Sequence, residues 1–136
     1  MQRAFELMCA RVTERSTHGS LLAQKGQVQQ MIAESAADIF SHRAATLAAA
    51  EAVDRGNEAR IEISLIKFRG AELLHRVIDR AIQVHGALGV TADTPLEWMY
   101  REARYARIYD GPDETHREVV ARKLVRDPLS APWYDV

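Results

Sequence analysis

Apolar residues recur at helical spacing along almost the whole chain, and the pattern is interrupted only at a few glycine- and proline-containing points. Phe5, Met8, Cys9 and Val12 mark a first stripe. It stops near Arg15-Ser16-Thr17-His18-Gly19, where Gly19 can end a helix. A second helix is expected after Ser20, with Val28, Met31, Ile32, Ser35, Ile39 and Phe40 on its inner face. The alanine-rich stretch from Ala44 to Val53 continues it to a break at Gly56-Asn57. A third helix is expected from about Glu58 to His85, with Ile63, Ile66, Gly70, Leu73, Leu74, Val77, Ala81 and Val84 on one side and Ile61, Leu65 and Phe68 forming a second strip. Apolar surface on two sides means several neighbours, and Gly70 and Ala81 are small enough to admit one closely.

After the loop Gly86-Ala87-Leu88-Gly89-Val90, Asp93 or Thr94 can cap a short helix with Pro95 at its first position. Leu96, Met99, Ala103 and Ala106 form its stripe. Gly111-Pro112 separates it from a last helix that Asp127-Pro128 ends, leaving Pro132-Trp133-Tyr134 as a tail. No alternation is long enough for a sheet. The fold class expected is all-α: an antiparallel up-down four-helix bundle with a short extra helix. The second and third helices are longer than a small monomeric bundle needs, so self-association is expected as well.

The 136 residues, 47% hydrophobic and 27% charged, make one globular domain. The net charge of -1 gives no general attraction for nucleic acid or for an acidic membrane surface. No apolar run approaches the roughly 20 residues of a membrane helix. Cys9 is the only cysteine, which fits a reducing, cytoplasmic setting. Its helical spacing makes it a core residue rather than a nucleophile.

Three constellations could carry chemistry. In Tyr109-Asp110-Gly111-Pro112-Asp113, an acid sits beside a glycine on a short interhelical turn. Asp110 is either a turn aspartate or a general base, if a site desolvates it. The missing Cβ of Gly111 would let a ligand approach the backbone. Gln83-Val84-His85-Gly86-Ala87-Leu88-Gly89 is either a plain helix-ending loop or a loop whose N–H groups hold phosphate oxygens. Glu72-Leu73-Leu74-His75 and Asp113-Glu114-Thr115-His116, with Glu34 and Glu51, are nominal di-iron ligands. Glu72 could equally pair with Arg76 and face water. Arg101, Arg104 and Arg107 repeat every third position as a helical stripe, open to an anionic ligand or to salt links with Glu97 and Glu102.

Taken in order, Arg15-Ser16-Thr17-His18-Gly19, Gln83-Val84-His85-Gly86-Ala87-Leu88-Gly89 and Tyr109-Asp110-Gly111 with Arg117 resemble the C-terminal helical domain of the acyl-CoA dehydrogenase family. Asp93-Thr94-Pro95-Leu96 and Met99-Tyr100-Arg101 also look like the family. The resemblance implies FAD lying between subunits of a homo-oligomer (dimer or tetramer), with acyl-CoA against the flavin. It implies α,β-dehydrogenation to a trans-2-enoyl-CoA. Asp110 would be the base, Arg15, Gln83, Gly86 and Gly89 cofactor contacts, and Tyr109 and Gly111 substrate contacts. Most of the family has Glu where Asp110 stands, and one branch resembles this chain in having Asp. The shorter side chain moves the carboxylate by about 1.5 Å. The family often has Phe at position 18, a second Gly at 87 and Gln at 26, where this chain has His18, Ala87 and Gly26.

A whole enzyme of this family would be much longer. The expectation is therefore that the N-terminal helical and middle β domains are absent from residues 1–136, and that FAD does not stay with this chain alone. The alternative is a non-catalytic oligomerisation or partner-docking module left after loss of the other domains.

Overall fold

The computed structural model describes residues 1–134, with the backbone alone at Tyr134; Asp135 and Val136 lie outside the described residues. The helix with two apolar strips, α3 (Arg60–His85), is the axis of the fold. It packs against all four of the other helices: α1 (Gln2–Glu14), α2 (Gly26–Asp54), α4 (Leu96–Tyr105) and α5 (Asp113–Arg126). Tyr100 of α4 meets His75, Lys67 reaches Ala106, and Lys123 of α5 reaches Glu58. Helices α4 and α5 therefore run one after the other down α3 in the opposite direction. Together they form the fourth leg of the expected bundle, interrupted at residues 106–112.

The core is made where α1 and α4 close on α3. Ala4, Met8 and Val12 meet Val77, Ile78, Ala81 and Val84, with Leu96 and Ala103 completing the cluster. Cys9 is half-buried beside it, and burial pushes its thiol pKa up, which suits packing better than nucleophilic chemistry. Gly70 does admit a close neighbour: a Cβ there would run into the imidazole of His42 from α2. Burial holds the His42 pKa below its ordinary value.

Three expectations are corrected. Helix α1 ends at Glu14, and Gly19 instead makes a hairpin turn with His18 (φ 78° and 48°). The flanking residues form a short antiparallel pair, Ser16 with Leu21 and Thr17 with Ser20, where no strand was expected. Helix α2 starts at Gly26, after a 3-10 turn at Leu22–Gln24. Its inner face does include fully buried Ser35, but Phe40 is 77% exposed. One residue beyond Ile39 is a rotation of about 100°, which carries Phe40 off the stripe. The second and third helices are long as expected, at 29 and 26 residues.

Polar ties fix α2 on α3. Arg80 bonds Asp38 at 2.7 Å and Glu34 at 2.6 Å, and reaches the Ser35 hydroxyl at 3.4 Å. Arg80 and Asp38 are mostly buried, so the pair holds register as well as position.

Met8→Ala should lower unfolding stability by about 2–5 kcal/mol through loss of burial and cavity formation. Phe40→Ala should stay within about 0.5 kcal/mol. Urea unfolding of the two variants checks the assignment of faces, and equal costs would contradict it.

Candidate functional site

The break between α4 and α5 is held from three directions. Arg107 Nε donates to Asp113 Oδ2 at 2.8 Å, and the Asp113 N–H donates to the Arg107 carbonyl at 3.2 Å. Residues 107 and 113 are thus joined twice, and 108–112 must turn between them. Lys67 of α3 reaches up from below, donating to Ala106 O at 2.8 Å and Gly111 O at 3.3 Å. His116 Nε2 lies 3.1 Å from Asp110 O, and its Nδ1 lies 3.4 Å from Ser64 Oγ. A carbonyl only accepts, so this geometry places a proton on Nε2.

Asp110 and Gly111 both take positive φ, 55° and 89°. An aspartate tolerates this conformation better than most side chains. Gly111 is required twice over: by its φ, and because a Cβ would come 2.9 Å from His116 Nε2. The close approach inferred for a ligand is here made by that imidazole. The turn leaves the Asp110 side chain exposed. Asp110 and Tyr109 line a cleft of about 570 Å³, with Lys67, Ile66, Leu74 and His42 among its walls. The Lys67 ammonium lies 5.7 Å from the centre of the Tyr109 ring. Tyr109 and Asp110 therefore share one cleft, while Gly111 lies under His116 and is not among its walls.

Asp113 is 1% exposed and has one carboxylate oxygen without a partner. The hydrogen bond from Arg107 is the largest influence on that guanidinium and raises its pKa further. Arg117 links the pair to α3 by bonding Glu72, which Arg69 also contacts at 2.9 Å. Glu72 thus does not take the expected partner, Arg76, which faces Asp38 at 3.8 Å instead. The His75 and Tyr100 rings meet at a tilt of 50° with centroids 4.3 Å apart, and burial is the main cause of the lowered His75 pKa. Among the described residues no group of three or more His, Cys, Asp or Glu converges as metal ligands. In the arginine stripe, Arg101 pairs with Glu97 at 2.9 Å while Arg107 turns inward to Asp113.

The other constellation lies at the far end of α3. Arg15, Gln83 and Gly86 line one cleft of about 420 Å³ with Arg11 and His85, and no Asp or Glu lines it. The Gly86 N–H is not free for a ligand, since it donates back to Gln83 O and Ile82 O, and Gly86–Val90 winds into a 3-10 turn. Gly89 sits under that turn. A Cβ there would lie 2.8 Å from Ile82 O, so its bareness serves packing against α3. From Lys67 to Gln83 is about 24 Å along the helix axis.

Sequence reasoning missed Lys67, Arg11 and the pairing of Arg107 with Asp113. A lysine flanked by Ile66 and Phe68 on a helix with two apolar strips was the available signal for the first. Asp113→Ala should cost about 2–3 kcal/mol of stability in urea unfolding. That is less than for a fully buried pair, because Arg107 is 33% exposed. A neutral substitution would contradict the clamp.

The family model for acyl-CoA dehydrogenase, C-terminal domain, matches residues 1–125. The chain is 47% identical over 123 residues to Probable acyl-CoA dehydrogenase FadE2 of Mycobacterium tuberculosis, covering 89% of this chain and 30% of that protein. It is 38% identical over 128 residues to Acyl-CoA dehydrogenase family member 11 of Rattus norvegicus, covering 93% of this chain and 16% of that one. The crystal structure of acyl-CoA dehydrogenase from Geobacillus kaustophilus matches with a TM-score of 0.87 at 28% identity, over 90% of this chain and 32% of that one. The chain thus spans about a third or less of the length of these relatives. On the extent of these matches, the chain belongs to the acyl-CoA dehydrogenase family, in the part that forms its C-terminal domain.

Proposed function

We propose that this chain is the C-terminal helical domain of a flavin-dependent acyl-CoA dehydrogenase, contributing the general base, cofactor contacts and subunit assembly. The observation that carries the reading is that Tyr109 and Asp110 line one cleft from a turn that the pair of Arg107 with Asp113 clamps. Arg15, Gln83 and Gly86 converge separately on an acid-free cleft. Two guanidiniums without a carboxylate among its walls suit the diphosphate of FAD, and Gln83 offers an exposed amide beside them. The two clefts lie about 24 Å apart along α3. The reading therefore assigns them to cofactors of different subunits in a homo-oligomer.

In this account the Asp110 carboxylate removes a proton from the acyl α-carbon. The C–H electron pair becomes the new double bond as a hydride leaves the β-carbon, giving a trans-2-enoyl-CoA. Bound FAD would supply the hydride acceptor. Docking of acyl-CoA over the turn would strip water from around Asp110. Lys67 and the pair of Arg107 with Asp113 hold the turn, so the shorter aspartate reaches the substrate from a fixed backbone. Tyr109 forms part of the wall against which the acyl group lies.

A second reading is a non-catalytic assembly module. It is favoured by Phe40 and Leu47, 77% and 54% exposed on α2, near an apolar groove between α2 and α3 that Leu65, Phe68 and Leu73 line. In this reading that surface meets another protein chain.

The two readings part on flavin. The protein produced from its own gene should purify yellow with about one FAD per chain and bleach with acyl-CoA. Asp110→Asn should keep the flavin and slow bleaching by about 10² to 10⁴-fold. A colourless protein after gentle purification would overturn the enzyme reading and leave the assembly module.

A further inference from the structure

We infer that Arg11 is a second guanidinium contact, beside Arg15, for the diphosphate of a dinucleotide held in the cleft between the end of α1 and the end of α3. The inference rests on the cofactor reading above and extends it to a residue outside the motif that suggested Arg15.

Arg11 and Arg15 are four residues apart at the end of α1, which puts them on one side, a turn apart. Both line the same cleft as Gln83, His85 and Gly86. Among the described residues, four arginines are partly buried: Arg11, Arg80, Arg107 and Arg117. Three of them have acids: Arg80 with Asp38 and Glu34, Arg107 with Asp113, and Arg117 with Glu72. Arg11 has none, and its Nε is buried without a hydrogen-bond acceptor.

A guanidinium taken partly out of water without a partner is destabilising for the fold on its own. Its place in the last turn of α1 offsets part of the charge through the helix dipole, but supplies no acceptor to Nε. The aliphatic stem could pack there with any head group, so packing does not account for the charge. A dianionic ligand does. Two guanidinium forks one turn apart match two adjacent phosphates in charge and in donor geometry. The Gly86 N–H is bonded to α3 carbonyls and adds no donor there. His85 is held off the ligand on one side, its Nδ1 being 2.8 Å from Ala81 O. The cations that face the cleft are therefore Arg11 and Arg15.

The test is calorimetric titration of this chain with ADP, using adenosine as the phosphate-free control, on Arg11→Met, Arg11→Lys, Arg15→Met and Arg60→Met. Arg11→Met and Arg15→Met should each weaken ADP binding by about tenfold or more. Arg11→Lys should fall between Arg11→Met and the wild type, because it keeps the charge without the fork. Adenosine binding should be unchanged throughout, and Arg60→Met, exposed and away from the cleft, should behave as wild type. Removing a partnerless charge should leave the thermal midpoint of Arg11→Met equal to the wild type or higher.

Unchanged ADP binding in Arg11→Met, with weakened binding in Arg15→Met, would overturn the role of Arg11 and leave the cofactor reading standing. A midpoint lowered in both Arg11 variants would assign the residue to the fold and overturn the inference. A wild-type chain that does not bind ADP at millimolar concentration would overturn the diphosphate cleft itself, while flavin content of the gene product still decides the enzyme reading.

Discussion

The ion pair between Arg107 and Asp113 is what turns a long antiparallel leg into two helices with a working bend between them. Asp113 is 1% exposed, and both its backbone N–H and its carboxylate are bound to Arg107. Six residues of separation are closed into a loop by two bonds at one point. Positive φ at Asp110 and Gly111 lets the backbone loop out and return to Arg107 within that span. Lys67 then ties the loop to the middle of α3, and Arg117 with Glu72 ties the start of α5 to the same helix. The backbone that carries the exposed Asp110 is held by groups that bond the turn and not its side chain. That is how a loop residue gains the positional accuracy of a helix.

The same dependence on α3 links the two candidate clefts. One lies beside Lys67 and the other beside Gln83, on a helix whose inner residues Val77 and Ala81 are fully buried. A rigid packed rod keeps the distance between them constant. For a cofactor shared between subunits, that constancy would relate one chain's base to a neighbour's binding cleft without flexible parts. The polar contacts of Arg80 with Asp38 and Glu34 extend the rigid unit to α2, whose outer face carries Phe40 and Leu47.

Much of the architecture was legible in the chain because its breaks are chemically marked. Gly56-Asn57, Gly86 and Gly111-Pro112 all lie at helix ends. The apolar stripe of α3 correctly announced a helix surrounded by neighbours. Phe40 was misplaced because one residue beyond a stripe is about 100° of rotation, and the alanine-rich run gave no second landmark. The hairpin at Ser16–Leu21 was missed because two residues per strand give no alternation to read. Of the residues that the motifs singled out, Tyr109 and Asp110 line one cleft, and Arg15, Gln83 and Gly86 line another. The supporting residues were not legible, for a physical reason. Lys67 meets its carbonyls 39 and 44 positions away, and Glu72 meets Arg117 45 positions away. Such partners are chosen by tertiary packing, which local spacing does not encode. Gly89 shows the converse. Its place in a glycine-bearing loop pointed to a ligand, whereas its contact with Ile82 points to packing.

The turn that carries Asp110 is already formed by its own clamps. Amide hydrogen exchange of the chain at Tyr109, bonded to Tyr105 O, and Asp113, bonded to Arg107 O, measures this most directly. The account predicts protection at both amides comparable to the interior of α4, and its loss at Asp113 in Lys67→Met while α4 stays protected. Exchange at both amides as fast as in a free peptide would mean that the turn is not preformed, and would contradict the claim that these side chains position Asp110.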